Sequence, residues 1–462
     1  MKRLLTKILF GMLFFFNSVN IYAAGPEVIE HSLPEPLMVL PFVILLLMIA
    51  TGPLFYHHFW ERNYPKVSIF LGSITVLYYL LILNDSHSLL HTAHEYISFI
   101  ALLASLFVAT GGILIKVDKK ATPLLNVVIL LFGSVIANVI GTTGASMLLI
   151  RPFIKINKDR IKPYHVIFFI FSVSNIGGAL TPIGDPPLFL GFLRGIDFFW
   201  FFGHIWYIWL PTLIAVLAIF YVIDSFNKEG AGDTAIYSGR IEFRGGKNLI
   251  YLLIILISVF LDPGILSWVP SFAPLPFGIR EIIMFSVVYF SYKTADRKIL
   301  ESNEFNFEPI REVAFLFIGI FATMIPALQL IAYEAKLYGQ QLTPGIFYWA
   351  TGILSAFLDN APTFLNFLSA SLGKYAYDVN LKSQVHDFSQ LYPFYLQAIS
   401  IAAVFFGAMT YIGNGPNFMV KSICERAGIK MPSFFGYLIK YSIPILLPLF
   451  IILWFIVYYG KV

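Results

Sequence analysis

Two stretches of this chain read as versions of one another, and both set polar, irregular backbone inside otherwise apolar sequence. The first is Ser174-Asn175-Ile176-Gly177-Gly178-Ala179-Leu180-Thr181-Pro182-Ile183-Gly184-Asp185-Pro186-Pro187. The second is Phe406-Gly407-Ala408-Met409-Thr410-Tyr411-Ile412-Gly413-Asn414-Gly415-Pro416-Asn417. Each is flanked by enough Leu, Ile, Phe and Val to cross a bilayer. No straight helix survives Gly-Asp-Pro-Pro in its middle, because proline removes a backbone donor and clashes with the preceding turn. Backbone freed at membrane depth is tolerated only when protein buries it or it lines a polar cavity. Paired breaks in the two halves of a polytopic chain point to a carrier's binding site. The pattern implies a secondary transporter.

Composition agrees. Of 462 residues, 58% are hydrophobic and 12% charged, with mean hydropathy +0.78. Soluble domains carry about 25% charge. The formal charge of +5 does not suggest nucleic acid, because the basic residues sit in short loops between apolar runs. The single Cys424 excludes an internal disulfide and a cysteine metal cage. Residues 1–23 read as a signal peptide: a basic start (Lys2, Arg3, Lys7), a short apolar core and small residues at Ala23-Ala24-Gly25. The mature N-terminus is then expected outside a bacterial-type inner membrane.

Lys and Arg gather in cytoplasmic loops, and this orders the spans. Runs at about 37–56, 67–83 and 96–115 would cross in turn, with Arg62 and Lys66 inside, Asn84 to Glu95 outside, and Lys116, Lys119 and Lys120 inside. The stretch 122–150 is basic at both ends, with Arg151, Lys155, Lys158, Arg160 and Lys162 beyond it. It is too short for two crossings of about 20 residues each and carries Gly141-Thr142-Thr143-Gly144 in its middle. It is predicted to be a re-entrant hairpin. A broken span (about 164–194) and a return (about 199–223) lead to a cytoplasmic linker, 224–247. The order then repeats: runs at about 248–261, 278–292 and 312–332, a second hairpin at 342–372, a broken span (about 393–420) and a final span (about 435–458). The predicted fold is an all-α polytopic membrane protein of two repeats, 35–223 and 248–458, each with five spans and one hairpin. Five is odd, so the second repeat must be inverted, which permits alternating access.

These motifs, with Ser355-Ala356-Phe357-Leu358-Asp359-Asn360-Ala361-Pro362, resemble those of the ion transporter superfamily. Its branches include arsenite permeases, sodium-coupled dicarboxylate carriers, citrate carriers and a group of sodium/proton antiporters. The chain is most similar to the citrate transporter-like, or sodium/proton antiporter, branch over about residues 35–458. The resemblance implies two hairpin tips meeting two unwound helices at mid-membrane, an elevator motion and a homodimeric scaffold. The first hairpin departs from the pattern, having Gly141-Thr142-Thr143-Gly144 where dicarboxylate carriers have Ser-Asn-Thr.

The chemistry centres on Asp185 and Asp359. An ionisable side chain in the bilayer costs about 3 kcal/mol or more and marks function by default. A proton and a cation compete for one buried carboxylate, so such a group can exchange Na⁺ for H⁺. A hard cation takes oxygen ligands. Asn138, Thr142 and Thr143 are candidates near Asp185, and Asn360, Thr410 and Asn414 near Asp359. Asn175, Gly184, Gly413 and Asn417 complete the unwound motifs. Asn414 corresponds to Asp185 between repeats, so the carboxylates are not symmetric. The bland alternative is that each aspartate caps the half-helix immediately after it. Asp359, beside Asn360 in a hairpin tip, is expected to be the more sensitive.

The leading expectation is Na⁺/H⁺ antiport, with no cofactor beyond the transported Na⁺ or H⁺. The alternative is cation-coupled uptake of citrate or another carboxylate, since half-helix N-termini attract anions. No Arg or Lys lies clearly at membrane depth; Arg194 is expected to snorkel to the outer interface. A membrane metalloenzyme is a third reading, from His87, His91, His94 and Glu95 at helical spacing. No second histidine box accompanies them, and they fall in an expected outer loop. The aromatic run Phe198 to Phe202 with Trp206 to Trp209 is expected to form an interfacial belt.

Overall fold

The computed structural model describes residues 33–229 and 239–461. The expected signal peptide, and residues 230–238 of the expected linker, lie outside the described residues. Helices α1 (Leu40–Phe55), α2 (His57–Leu81) and α3 (Ser86–Gly111) open the chain, α1 being led in by a 3₁₀ turn over Pro36–Val39. Strand β1 (Leu114–Val117) and helices α4 (Pro123–Ile156), α5 (Pro163–Ser172), α6 (Pro186–Leu193) and α7 (Trp200–Ser225) come next. After β2 (Ile241–Arg244) come α8 (Lys247–Val259), α9 (Ile279–Thr294), α10 (Arg297–Ser302) and α11 (Glu308–Tyr338). The chain ends with α12 (Pro344–Phe357), α13 (Asn360–Lys374), α14 (Lys382–Leu391), α15 (Pro393–Gly407), α16 (Gly415–Arg426) and α17 (Phe434–Val457). The described residues from Pro34 onward form one unit.

Among the described residues, eight helices are long and apolar enough to cross a membrane, or nine if α14 and α15, bent by 99° at Tyr392, are one span. The protein is therefore an all-α polytopic membrane protein in class. The two strands form a small antiparallel pair, with Leu114 opposite Arg244, joining the segment after α3 to the segment before α8.

Several boundaries differ from the sequence expectation. Arg62 and Lys66 lie within α2, which runs unbroken through Pro65 from a turn at Tyr56. Charge and proline make this first half look like a loop. α3 starts at Ser86, ten residues earlier than expected, because the Asp85 side chain accepts the Ser88 N–H at 3.0 Å and caps it. The His87–Glu95 cluster is thus helical rather than a loop. α8 and α9 have 13 and 16 residues, short of the about 20 a straight crossing needs. Asp262-Pro263-Gly264 halts the apolar run after α8. Residues of the aromatic run alternate in exposure: Phe199, Phe202, Trp206 and Tyr207 face outward, while Trp200, Phe201 and Trp209 are core.

α4 is two helices joined at Gly141, where φ is +77° and ψ 154°. That left-handed extended geometry is open to glycine and strained for other residues. The 34-residue stretch doubles back on itself: Asn126 and Asn157, near its two ends, exchange side-chain hydrogen bonds at 2.9 and 2.8 Å. Asp224 at the end of α7 takes a further Asn126 donor at 2.9 Å and Arg160 Nη1 at 2.9 Å, fastening this base to α7. α12 and α13 are parted by extended backbone at Leu358 and Asp359. Where α13 ends, Lys374 Nζ donates to the Leu342 carbonyl and to the Tyr395 hydroxyl, both at 2.7 Å.

Candidate functional site

The two broken segments solve the same backbone problem in the same way. After α5, a 3₁₀ turn (Ile176–Leu180) and a short extended piece lead to Asp185, at φ −142°, ψ 144°. After α15, a turn leads to Asn414, at φ −153°, ψ 139°. Thr181 Oγ1 donates to the Asn138 carbonyl at 2.5 Å and accepts the Gly184 N–H at 3.1 Å. Thr410 Oγ1 donates to the Ala356 carbonyl at 2.5 Å and accepts the Gly413 N–H at 3.2 Å. Each loop closes glycine on glycine. A Cβ on Gly184 would sit 2.1 Å from the Gly178 oxygen, and one on Gly413 would sit 2.6 Å from the Gly407 oxygen. Freed amides are satisfied from outside the helix, as buried backbone requires: the Thr142 N–H, just past the α4 break, donates to the Gly184 carbonyl at 2.8 Å.

Asp185 lies at the meeting point, 1% exposed. Its Oδ1 accepts from Thr142 Oγ1 at 2.8 Å and from Asn414 Nδ2 at 2.9 Å, and its Oδ2 from Asn360 Nδ2 at 2.6 Å. The α4 break, the second unwound loop and the start of α13 each supply one donor. Among the described residues no Lys, Arg or His forms an ion pair with it. Three neutral donors offset part of the desolvation cost of a buried carboxylate without cancelling its charge. The charge remains available to a proton or a cation.

Three amides tie the two loops together. Asn175 Nδ2 donates to Asn417 Oδ1 at 2.7 Å and to the Ile170 carbonyl at 2.8 Å. Asn414 Nδ2 also approaches Asn175 Oδ1, at 3.3 Å, and the Ser174 carbonyl, at 3.2 Å. Asn417 Nδ2 donates to the carbonyls of Gly407 and Thr410, at 2.8 and 2.9 Å. Asn138 holds the first loop, its Nδ2 on the Gly177 carbonyl at 2.7 Å and its Oδ1 on the Leu180 N–H at 2.9 Å.

The sequence grouping is partly rearranged. Asn360 and Asn414, expected near Asp359, bind Asp185 instead. Asp359 is half-buried, and its Oδ1 accepts the Ala361 N–H at 3.0 Å, so the capping reading describes it. The Asp185 side chain makes no such cap on α6. Thr410 is used up in bracing its own loop. Thr143 is half-buried beside Thr142 and does not join the Asp185 set. One further feature is not legible in sequence: the Asn360 Oδ1 oxygen is buried without a hydrogen-bond partner.

Arg194 does not snorkel. It is 2% exposed and paired with Glu95, whose own exposure is 2%. Glu95 is thereby committed to an ion pair. Among the described residues no three His, Cys, Asp or Glu side chains are placed to hold a metal ion.

The sequence profile of a family described as "Putative citrate transport" matches residues 31–458. No curated protein matches the chain. The match takes in both broken segments and every residue of the Asp185 set, and with it the chain belongs to the citrate transporter-like ion transporter family: it is a membrane transporter and not an enzyme.

Proposed function

We propose that this transporter carries citrate or a related carboxylate, coupled to a monovalent cation or proton, by alternating access. The observation that carries the reading is Asp185: a buried carboxylate without a basic partner among the described residues, beside the unpaired Asn360 Oδ1 oxygen. Together they present anionic and neutral oxygens of the kind a hard cation takes. The anion has a separate place to approach. Gly415 opens α16, is exposed, and has nothing within 4 Å of where a Cβ would be. A half-helix N-terminus of that sort carries partial positive charge. Two unit charges of like sign 4 Å apart repel by about 4 kcal/mol at an effective dielectric of 20. A multiply charged carboxylate therefore enters only once Asp185 is neutralised, and that requirement is the coupling.

The matched geometry of the two loops supports two inverted repeats, 35–223 and 248–458, with hairpins at 122–150 and 342–372. The candidate site is Asp185, Asn360, Asn414 and Thr142, braced by Asn138, Asn175, Asn417, Thr410, Gly184 and Gly413. The uncompensated carboxylate also favours a second reading, Na⁺/H⁺ exchange, in which the cation is itself the cargo. Proteoliposomes with a trapped pH dye separate the two. Labelled citrate should accumulate when a Na⁺ or proton gradient is imposed, and should not without one. Cation-driven proton movement with no citrate accumulation would overturn the carboxylate reading in favour of exchange.

A further inference from the structure

α6 is only eight residues long, about 12 Å, with Asp185 at one end and Arg194 at the other. Arg194 Nη2 donates to Glu95 Oε2 at 2.7 Å, its Nε faces Glu95 Oε1, and its Nη1 donates to Asn380 Oδ1 at 2.6 Å. α6 and α13 are consequently joined at both ends, through Asp185 and Asn360 at the site and through Arg194 and Asn380 beyond α13. Between these ends a Cβ on Gly191 would sit 3.0 Å from the Phe364 ring. Gly195, at φ +114°, lies against the Lys382 backbone, where a Cβ would be 2.6 Å from the carbonyl oxygen. α6 is thus fastened to α13 and the segment after it along its whole length.

α3 belongs to a second buried network. Ser98, one turn on from Glu95, donates to Glu281 Oε1 at 2.6 Å and accepts from Arg280 Nη2 at 3.1 Å. Arg280 Nη1 meets Asp262 Oδ2 at 3.2 Å. Where the two networks face each other, packing is not close: a cavity of ≈ 320 Å³ lies between them, bordered by Leu193, Ile196, Phe260, Asp262, Arg280 and Lys382. Charge bridges the gap. Arg194 pairs with Glu95, and Lys382 Nζ stands 3.6 Å from Asp262 Oδ1. A ring contact of Phe198 with Phe260, at 4.7 Å, adds to the apolar packing there. Burial alone would raise the Asp262 carboxyl, but Lys382 and Arg280 hold it below the ordinary carboxylate range. On its other side α13 lies along α11 through small residues, Ser369 and Gly373 meeting the Leu328 and Ala332 backbone.

We propose that Arg194–Glu95, seconded by Lys382–Asp262, is a charge latch that holds the α6–α13 pair against α3 in the conformation described, and that parts when the transporter turns its site to the opposite face of the membrane. This rests on the carrier reading only in taking α6–α13 as the moving part. A bidentate buried fork is costly to open dry; the cavity borders Lys382 and Asp262, so water meets that second pair first, while Leu193 and Gly195 on either side of Arg194 are the cavity's nearest approach to the fork. Losing either pair favours the other conformation by the stabilisation it gave this one.

The test needs no substrate. Gly415→Cys in a Cys424→Ser background is labelled with a membrane-impermeant maleimide in right-side-out and inside-out vesicles. Glu95→Gln is expected to change the ratio of the two labelling rates about tenfold. Lys382→Gln, at a side chain 49% exposed, should change it less and in the same direction, while Glu95→Asp stays nearer the parent. Folding of each variant is checked by monodisperse elution, and Lys382→Gln decides the matter if Glu95→Gln does not fold. An unchanged ratio in the folded variants overturns the latch. A shifted ratio leaves the latch standing even if the protein with Gly415 intact fails to accumulate citrate, a result that would remove only the cargo assignment.

Discussion

The two unwound loops share a glycine pair six residues apart, a threonine brace midway and an extended polar residue before the next helix, yet they differ at that residue. The first loop ends in Asp185, the second in Asn414, and the amide donates to the carboxylate across the junction at 2.9 Å. The helices they lead into differ as well. α6 starts with two prolines and is almost wholly buried, whereas α16 starts at the exposed Gly415 and carries Lys421, Glu425 and Arg426. Near-identical backbone thus serves two chemical ends. One loop supplies the charge, and the other supplies a donor to it and an open helix terminus. Two aspartates at that distance would repel, and two asparagines would leave nothing for a cation to neutralise.

The largest effect should come from erasing this difference. Asp185→Asn turns one acceptor oxygen into a donor facing other donors, leaving a buried group unpaired at a cost of about 1–3 kcal/mol. Coupled uptake should fall at least about tenfold and lose its dependence on the imposed cation gradient, measured in vesicles against the parent protein. The exchanged pair Asp185→Asn with Asn414→Asp should transport better than Asp185→Asn alone. If it does not, the loops are not interchangeable apart from charge. A middle-sized effect should separate the glycines. Alanine at 184 meets the Gly178 oxygen at 2.1 Å, and at 413 meets the Gly407 and Ser355 oxygens at 2.6 and 2.7 Å. Overpacking costs about 1–3 kcal/mol, so both variants should melt earlier than the parent and Gly184→Ala earlier than Gly413→Ala. Equal losses would mean the first loop is no tighter than the second. The smallest effect is expected at Asp359, because asparagine caps a helix about as well as aspartate. Asp359→Asn should stay within about 0.5 kcal/mol of the parent in thermal stability and keep its transport; a loss matching that of Asp185→Asn would return Asp359 to the ion site.

The breaks are legible in sequence because they are local. Gly184-Asp185-Pro186-Pro187 and Gly413-Asn414-Gly415-Pro416 interrupt apolar runs within a few residues, and chain chemistry alone forbids a straight helix there. The partners of Asp185 are only half legible. Thr142 lies 43 residues away and groups correctly with it, but Asn360 and Asn414, 175 and 229 residues away, group by sequence with the nearer motif. No periodicity reports which loop a distant amide reaches. The same limit hides Arg194 and Glu95, 99 residues apart: Arg194 looks like an interfacial charge and Glu95 like a companion of the nearby histidines, because the partner of each lies elsewhere in sequence. Boundaries fail where polar residues sit on helices, as with Arg62 and Lys66 in α2 and the histidines at the start of α3. There charge density mimics a loop, while local capping and tertiary contacts sustain the helix.

The reciprocal amide clasp between Asn126 and Asn157 has a mechanical consequence. A folded arm buttoned at its foot cannot shear one leg past the other, because a slip of a single residue would tear both amides from each other. Lys374, gripping Leu342 and Tyr395, does the same office for the arm formed by α12 and α13. Each arm is therefore pinned at its foot by side-chain hydrogen bonds and at its tip by Asp185, through Thr142 in one arm and Asn360 in the other.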